Sequence, residues 1–406
     1  MARVTSDPRA LLIETLAAAL TAANPEASVR LNLPARPAGR VVVIACGKAA
    51  PAMLRGLDGW GEVSGLAVTT VGQTLPERSG IRWLEASHPL PDGRSVAAGR
   101  AMLEVLRDLT PDDLVLCLIS GGSSALCCVP EQIALEEKIA LSKALLHSGA
   151  SIQEINTVRK HLSGIKGGRL ALAARPARLE ALIVSDVVGD DPSAIGSGMT
   201  APDATNVQDA IGVLRRYGIP APSTLTETPK PDDPIFQRVT NRVILSNRVA
   251  LQAAQRVLEG RGWRVTHVDD GLTGDARVAA TGQAALAKES GTATLSGGET
   301  TVQVSGAGFG PTGRGGRNLE FLLQLVILGA KLYALSADSD GIDGSSDAAG
   351  AIVTPDSLHR ALALGLEPLE FQRRHDAHGF FAALGDLVVT GSTGTNVGDL
   401  RVILKP

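Results

Sequence analysis

The apolar positions of the chain fall into two alternating kinds of run. One kind is short and unbroken: Val41–Cys46 carries six apolar residues in a row, three of them valine. Such a run is too short for a helix and apolar on both faces, as a strand covered by helices on both sides must be. Leu114–Ile119 reads the same way, and residues 65–71 and 182–188 read as further strands, the last ending in an acidic turn. The other kind is spaced for a helix. Leu12, Leu16 and Leu20 share one face, and Asp7-Pro8 ahead of them supplies a cap and a first helical residue. Helices are predicted over 49–57, 92–109 and 131–147, with another opening after Ser120-Gly121-Gly122-Ser123-Ser124. Strands alternating with helices imply a doubly wound α/β layer with a mostly parallel sheet.

Five prolines (220, 222, 229, 231 and 234), interleaved with charges, make the best linker in the chain. Past it the alternation resumes, with strands predicted near 242–245, 263–268, 292–295, 301–304, 332–337 and 387–390. Helices are predicted at 248–261, 275–289 and 317–328. The expectation is two α/β domains, residues 1–235 and 236–406.

Composition narrows the function. The 406 residues hold 39 Lys+Arg against 42 Asp+Glu, a net charge of −3, which argues against a dedicated nucleic-acid binder. No apolar run approaches the roughly 20 residues that cross a bilayer, and the N-terminus lacks a secretory pattern, so a cytoplasmic protein without membrane partners is expected. Cys46, Cys117, Cys127 and Cys128 lack Cys-x-x-Cys spacing and read as buried free thiols.

Five predicted strands end in glycine, serine or acidic turns: at Gly47-Lys48, at residues 120–124, at Ser185-Asp186, at Ser296-Gly297-Gly298-Glu299 and at Asp338-Ser339-Asp340. Ligands of open α/β sheets bind beyond the carboxyl ends of strands. Residues 120–124 suit a phosphate, because glycines admit backbone amides and serines add donors; an ordinary strand-to-helix turn is the plainer reading. Lys48 would place an ammonium on a phosphoryl group, against the alternative of a solvated helix-start lysine. Arg314 and Arg317 open an apolar helix, where cations oppose the helix dipole unless an anion is near. Asp186, Asp190 and Asp191, and then Asp338, Asp340, Asp343 and Asp347, form acidic clusters of the kind that hold Mg²⁺, or solvated turns. Residues 156–169 form a basic stretch that either faces an anion or is solvated. No Walker loop is present. Gly308-Phe309-Gly310-Pro311-Thr312-Gly313 spells a dinucleotide motif in a context that does not support it.

Nine ordered strings carry a resemblance. ACGKAA (45–50), SHPLPD (87–92), SGGSSAL (120–126), INTVRKHLSGIKGGRLA (155–171), SDVVGDDPSAIGSGMTAPD (185–203), SGGETTV (296–302), GRGGRNLE (313–320), SADSDGIDGSSDAAGA (336–351) and TGSTGTNVGDL (390–400) are similar to the bacterial and archaeal glycerate 2-kinase family. The resemblance implies an N-terminal Rossmann-like domain and a smaller C-terminal α/β domain, called MOFRL, with the active site in the cleft between. It implies transfer of the γ-phosphoryl group of ATP, assisted by Mg²⁺, to the 2-hydroxyl of D-glycerate, giving 2-phospho-D-glycerate and ADP. Lys48 and Arg317 match the family's essential basic residues. On this footing Ser120, Gly121, Gly122, Ser123, Ser124, Gly297, Gly298 and Glu299 are expected at the nucleotide. Arg159, Lys166, Asp340 and Asn396 are expected at the glycerate, and Asp186 and Asp190 at the metal. Asp186 or Asp340 is the candidate general base. The expected partners are small molecules, and a homodimer is compatible. Members have also been labelled hydroxypyruvate reductases, so an NAD(P)H-dependent reductase is the alternative.

Overall fold

The computed structural model describes residues 7–302 and 313–406. Most of the Gly308–Gly313 string and the end of the strand expected over 301–304 lie outside them. Two compact units are formed. One comprises Pro25–Ser185 and Asp190–Leu245; the other takes the chain before Pro25, Asp186–Gly189 and Ser246–Pro406.

The first unit is built on six parallel strands: β1 (Val41–Cys46), β2 (Ser64–Thr70), β3 (Ile81–Ala86), β4 (Leu114–Ile119), β5 (Arg178–Val184) and β6 (Val239–Leu245), in the order β3-β2-β1-β4-β5-β6. That order is the doubly wound one, whose reversal point lies between β1 and β4. Both of these strands are buried along their whole length, as their uninterrupted apolar runs require. Ala45 faces Ala67 on one side and Leu118 on the other, which sets β1 and β4 to end level. The helix Gly93–Val105 starts where expected, because Asp92 accepts from the amides of Arg94 and Ser95.

The division of the chain differs from the expected break at 235/236. The proline-rich segment is no linker: Arg169 donates to the carbonyls of Thr226 and Glu227 at 2.9 Å each, and the Asp203 amide donates to Pro229 O at 3.1 Å. β6 then completes the first sheet alongside β5, so the break falls at Leu245/Ser246. The N-terminal helix Pro8–Ala22, capped by Asp7 as expected, belongs to the second unit, where it packs on the helix Asn247–Gly260.

The second unit has β7 (Arg264–Asp269), β8 (Thr273–Asp275), β9 (Thr292–Ser296), β10 (Glu299–Thr301), β11 (Tyr333–Asp338), β12 (Gly350–Val353), β13 (Leu387–Val388) and β14 (Asp399–Lys405). Six of them form a mixed sheet, β13-β12-β11-β14-β9-β7, and β8 pairs with β10 apart from it. The helix Arg317–Ile327 is buried over most of its residues, its leucines, Phe321 and Val326 packing among Leu332, Ala334, Phe380, Phe381 and Ile403 while Asn318 and Glu320 are buried polar residues. All four cysteines are buried and unbridged. Among the described residues no helix is long and apolar enough to cross a membrane.

Candidate functional site

In the first unit, β1 and β4 run side by side into two turns that are tied together. The Lys48 amide donates to Gly121 O at 2.9 Å, and the Ala49 amide donates to Ser120 Oγ at 3.0 Å. A side chain at Gly47, where φ is +131°, would place its Cβ 2.1 Å from Ser120 Oγ. Only glycine lets the strands approach this closely. The Ser120 hydroxyl is thus spent on holding Lys48 in place. Gly122, with φ +84°, has the His88 ring and the Lys48 side chain packed over its Cα. Ser123 is buried, and its hydroxyl finds no partner among the described residues.

A cavity of about 200 Å³ opens beside these turns, lined in part by Gly122, Ser124, His88, Lys138, Arg159 and Lys166. The last three bring cationic groups together without a carboxylate in ion-pair range among the described residues. Lys166 is 2 % exposed, and its Nζ donates to Ser124 O at 2.5 Å and to Ser124 Oγ at 2.6 Å. Burial, and then the charge of Lys138, push its pKa down to about 7. Lys138, on the helix Leu135–His147, donates to Leu162 O, and burial lowers its pKa to about 8. Arg159, on the helix Ile152–Lys160, has its pKa lowered by burial as well. Burial and crowding thus make the charged forms of the two lysines costly, while the Arg159 guanidinium keeps its charge for an anion that enters the cavity.

The second unit holds a different cluster. Arg317 opens the helix Arg317–Ile327 and is gripped by Asp399 at 2.9 Å, Asp338 at 2.7 Å and Glu299 at 3.0 Å. Burial alone would lower the Arg317 pKa; Asp399, Asp338 and Glu299 outweigh it and raise it. Arg401 lies fully inside, over the Phe321 ring, bonded to Asp399, Gly297 O and Thr300 Oγ1. Asp399 stays ionised despite burial because two guanidinium groups flank it, whereas burial and the Asp399 charge raise the Asp338 pKa. Asn318 bridges Asp343 and Asp399, and Asp343 in turn accepts from the amides of Asn318 and Leu319 at the helix start. Arginine at the head of this helix is therefore balanced by protein carboxylates.

The remaining predicted residues divide between the units. Asp186 accepts from Asn396 Nδ2 at 2.9 Å, and the Asp340 carbonyl accepts from the Thr393 amide at 3.3 Å, so these two acidic loops meet the 390–400 string in the second unit. Gly297 and Gly298 pack against Asn247 and Leu272, and Gly298 O accepts from the Asp399 amide. Asp190 belongs to the first unit and Asp186 to the second. Among the described residues no group of three or more His, Cys, Asp or Glu side chains is disposed to hold a metal. Exposed Arg314 pairs with Asp347 at 3.2 Å and does not join the Arg317 cluster. Sequence reasoning passed over His88, Lys138, Asp399 and Arg401. His88 and Asp399 lie inside strings already singled out, while Lys138 sits beside Glu136 and Glu137 and looks like one more solvated helix residue.

Similar proteins fall in line with this arrangement. Residues 11–228 match a family described as a domain of unknown function, DUF4147, and residues 292–399 match the MOFRL family. A Thermotoga maritima protein named D-glycerate 2-kinase is 36 % identical, the match covering 97 % of each chain. An Agrobacterium vitis protein that carries the provisional name hydroxypyruvate reductase is 45 % identical, over 98 % of this chain and 94 % of that one. The crystal structure of a Thermotoga maritima glycerate kinase superposes with a TM-score of 0.86 at 35 % identity, over 98 % of this chain and 99 % of that one.

Proposed function

The chain belongs to the glycerate 2-kinase family, and from that premise we propose that it transfers the γ-phosphoryl group of ATP to the 2-hydroxyl of D-glycerate, giving 2-phospho-D-glycerate and ADP. The observation that carries this reading is the cavity walled by Lys138, Arg159 and Lys166. It has room for a three-carbon acid, its cations have no carboxylate in ion-pair range among the described residues, and it shares Gly122 and Ser124 with the glycine turn.

Phosphoryl transfer depends mainly on positioning and charge neutralisation. The turn at residues 121–124 would receive the nucleotide's phosphates, joined by Gly297, Gly298 and Glu299. Ser120 serves by fixing the Lys48 turn. Lys48 and Arg317 would act on the transferring group, with Asp338 and Asp399 holding Arg317 in a set orientation. Arg159 and Lys138 would take the glycerate carboxylate, and Asp340 and Asn396 its hydroxyls. Mg²⁺ arriving with the nucleotide needs only one or two carboxylates, for which Asp186 and Asp190 are the candidates, and would supply further neutralisation of phosphate charge.

The provisional name of the Agrobacterium vitis relative favours a second reading, reduction of hydroxypyruvate by NAD(P)H. The strands speak against it. The turn after β1 reads Gly47-Lys48-Ala49 without the dinucleotide glycines, and β2 ends in Thr69-Thr70 where a ribose-binding acid would stand. ADP release that requires D-glycerate supports the kinase; NAD(P)H oxidation on adding hydroxypyruvate, with no ADP release, overturns it.

A further inference from the structure

Lys166 is placed to do more than carry charge. It is followed by Gly167 and Gly168, both at positive φ, whose amides donate to Ser197 O at 3.1 Å and Gly198 O at 2.7 Å. The lysine thus leaves a turn clamped to the 197–198 segment. Its Nζ reaches both oxygens of Ser124. The hydrogens of this network can be followed one by one. Ser197 donates to Asn156 Oδ1 at 3.0 Å, so in the 2.9 Å contact between Ser197 Oγ and Ser124 Oγ the hydrogen belongs to Ser124. Ser124 therefore offers Lys166 only acceptors. Two of the amine's hydrogens are committed to them, and its remaining valence is left for the cavity that Lys166 lines.

We infer that Lys166, as the neutral amine, is the general base that accepts the proton of the substrate's 2-hydroxyl, while Lys138 and Arg159 hold the carboxylate. This rests on the phosphoryl-transfer reading above. An α-hydroxy acid carries its hydroxyl on the carbon next to the carboxylate, so a carboxylate held by two of the cations brings that hydroxyl to the third. The O–H bond breaks towards Nζ, the oxygen pair forms the new bond to the γ-phosphorus, and the bond from that phosphorus to the bridging oxygen breaks with its pair leaving on ADP. The resulting ammonium returns its proton to solvent after product departs. Lys138 and Arg159, from two helices, favour the neutral form of Lys166, while the thiols of Cys127 and Cys128 act the other way; His88 from the turn after β3 lines the same cavity, and no carboxylate stands in ion-pair range of Lys166 among the described residues. Burial and these cations are what bring its pKa to about 7.

The test is the pH profile of kcat/KM for D-glycerate at saturating ATP, in the intact enzyme and in Lys166→Ala and Lys166→Arg. The intact enzyme should lose activity about tenfold per pH unit below about pH 7, as the base becomes protonated. Lys166→Ala should lose about 10²- to 10⁴-fold in kcat and lose that limb, while its calorimetric affinity for D-glycerate changes by less than about tenfold. Methylamine should restore turnover in proportion to its free base, and guanidine should not. Lys166→Arg keeps the charge and lacks a base, so it should fail equally, and it decides the matter if the alanine variant does not fold. Turnover by Lys166→Arg within about tenfold of the intact enzyme overturns the assignment, as does an acid limb that persists in Lys166→Ala or is missing from the intact enzyme. If the intact enzyme makes no phosphoglycerate at all, the functional reading falls first.

Discussion

The Nε of Arg317 lies 2.9 Å from both carboxylate oxygens of Asp399, and Nη2 of the same guanidinium reaches Asp338 at 2.7 Å. This joins the head of an apolar helix to the first residue of β14 and the last residue of β11. Removing the arginine leaves Asp338 without its counter-charge and Asp399 with Arg401 alone. Arg317→Ala is expected to cost about 3–5 kcal/mol, the usual penalty for stranding a buried charge. Turnover should fall by about 10²–10³ if the group also faces the transferring phosphoryl. Urea unfolding and steady-state kinetics measure the two effects separately.

Gly122→Ala tests the turn itself. The new Cβ would sit 3.2 Å from His88 Cδ2 and 3.4 Å from Lys48 Cγ, at a φ of +84° that alanine resists. Stability should drop by about 1–2 kcal/mol. Displacing Lys48 by a fraction of an ångström should cost turnover roughly 10²-fold, well beyond the stability effect. Equal turnover in the two proteins would place the chemistry elsewhere.

Lys138 sets an alkaline limit. A lysine ordinarily stays charged to beyond pH 10; burial brings this one to about 8, so the cavity loses a cation as pH rises through that value. D-glycerate should bind more weakly above about pH 8 in the intact enzyme. Lys138→Met should raise KM by about tenfold at pH 7 and abolish the further alkaline weakening. Calorimetric titrations from pH 6.5 to 9 check both statements.

Glu320 should make stability fall towards neutral pH. Burial pushes its pKa up to about 7 from an ordinary 4.5, so the folded state holds a proton that the unfolded state releases. Its stabilising contribution is fully present below about pH 4.5 and is lost as pH rises through about 7. The shift corresponds to about 3 kcal/mol. Relative to the native protein, Glu320→Gln should gain most of that amount between pH 5 and 8, read from denaturant midpoints.

What the sequence made legible follows from burial. β1 and β4 are apolar throughout because both are buried along their whole length, and unbroken runs are easy to read. β3 was missed because Arg82 and Glu85 place polar residues in a strand at the edge of the sheet. β14 was missed because Asp399 and Arg401 look like surface residues; they are buried because they neutralise each other and Arg317. Glycine turns at strand ends exposed Lys48 and residues 120–124, and a dense basic string exposed Arg159 and Lys166. Lys138 carried no such signal, since its burial depends on how the helix Leu135–His147 packs. The prolines at 220–234 misled because their rigidity serves an ordered crossing to β6 as well as it would serve a linker.

The central claim is that this chain phosphorylates a 2-hydroxy acid at the hydroxyl beside its carboxylate. ³¹P NMR of the purified protein with ATP, Mg²⁺ and D-glycerate tests it most directly. The expected result is loss of the γ-phosphate signal matched by a resonance whose proton coupling identifies 2-phosphoglycerate. A 3-phosphoglycerate resonance, or unchanged ATP alongside oxidation of NADH by hydroxypyruvate, would contradict the account.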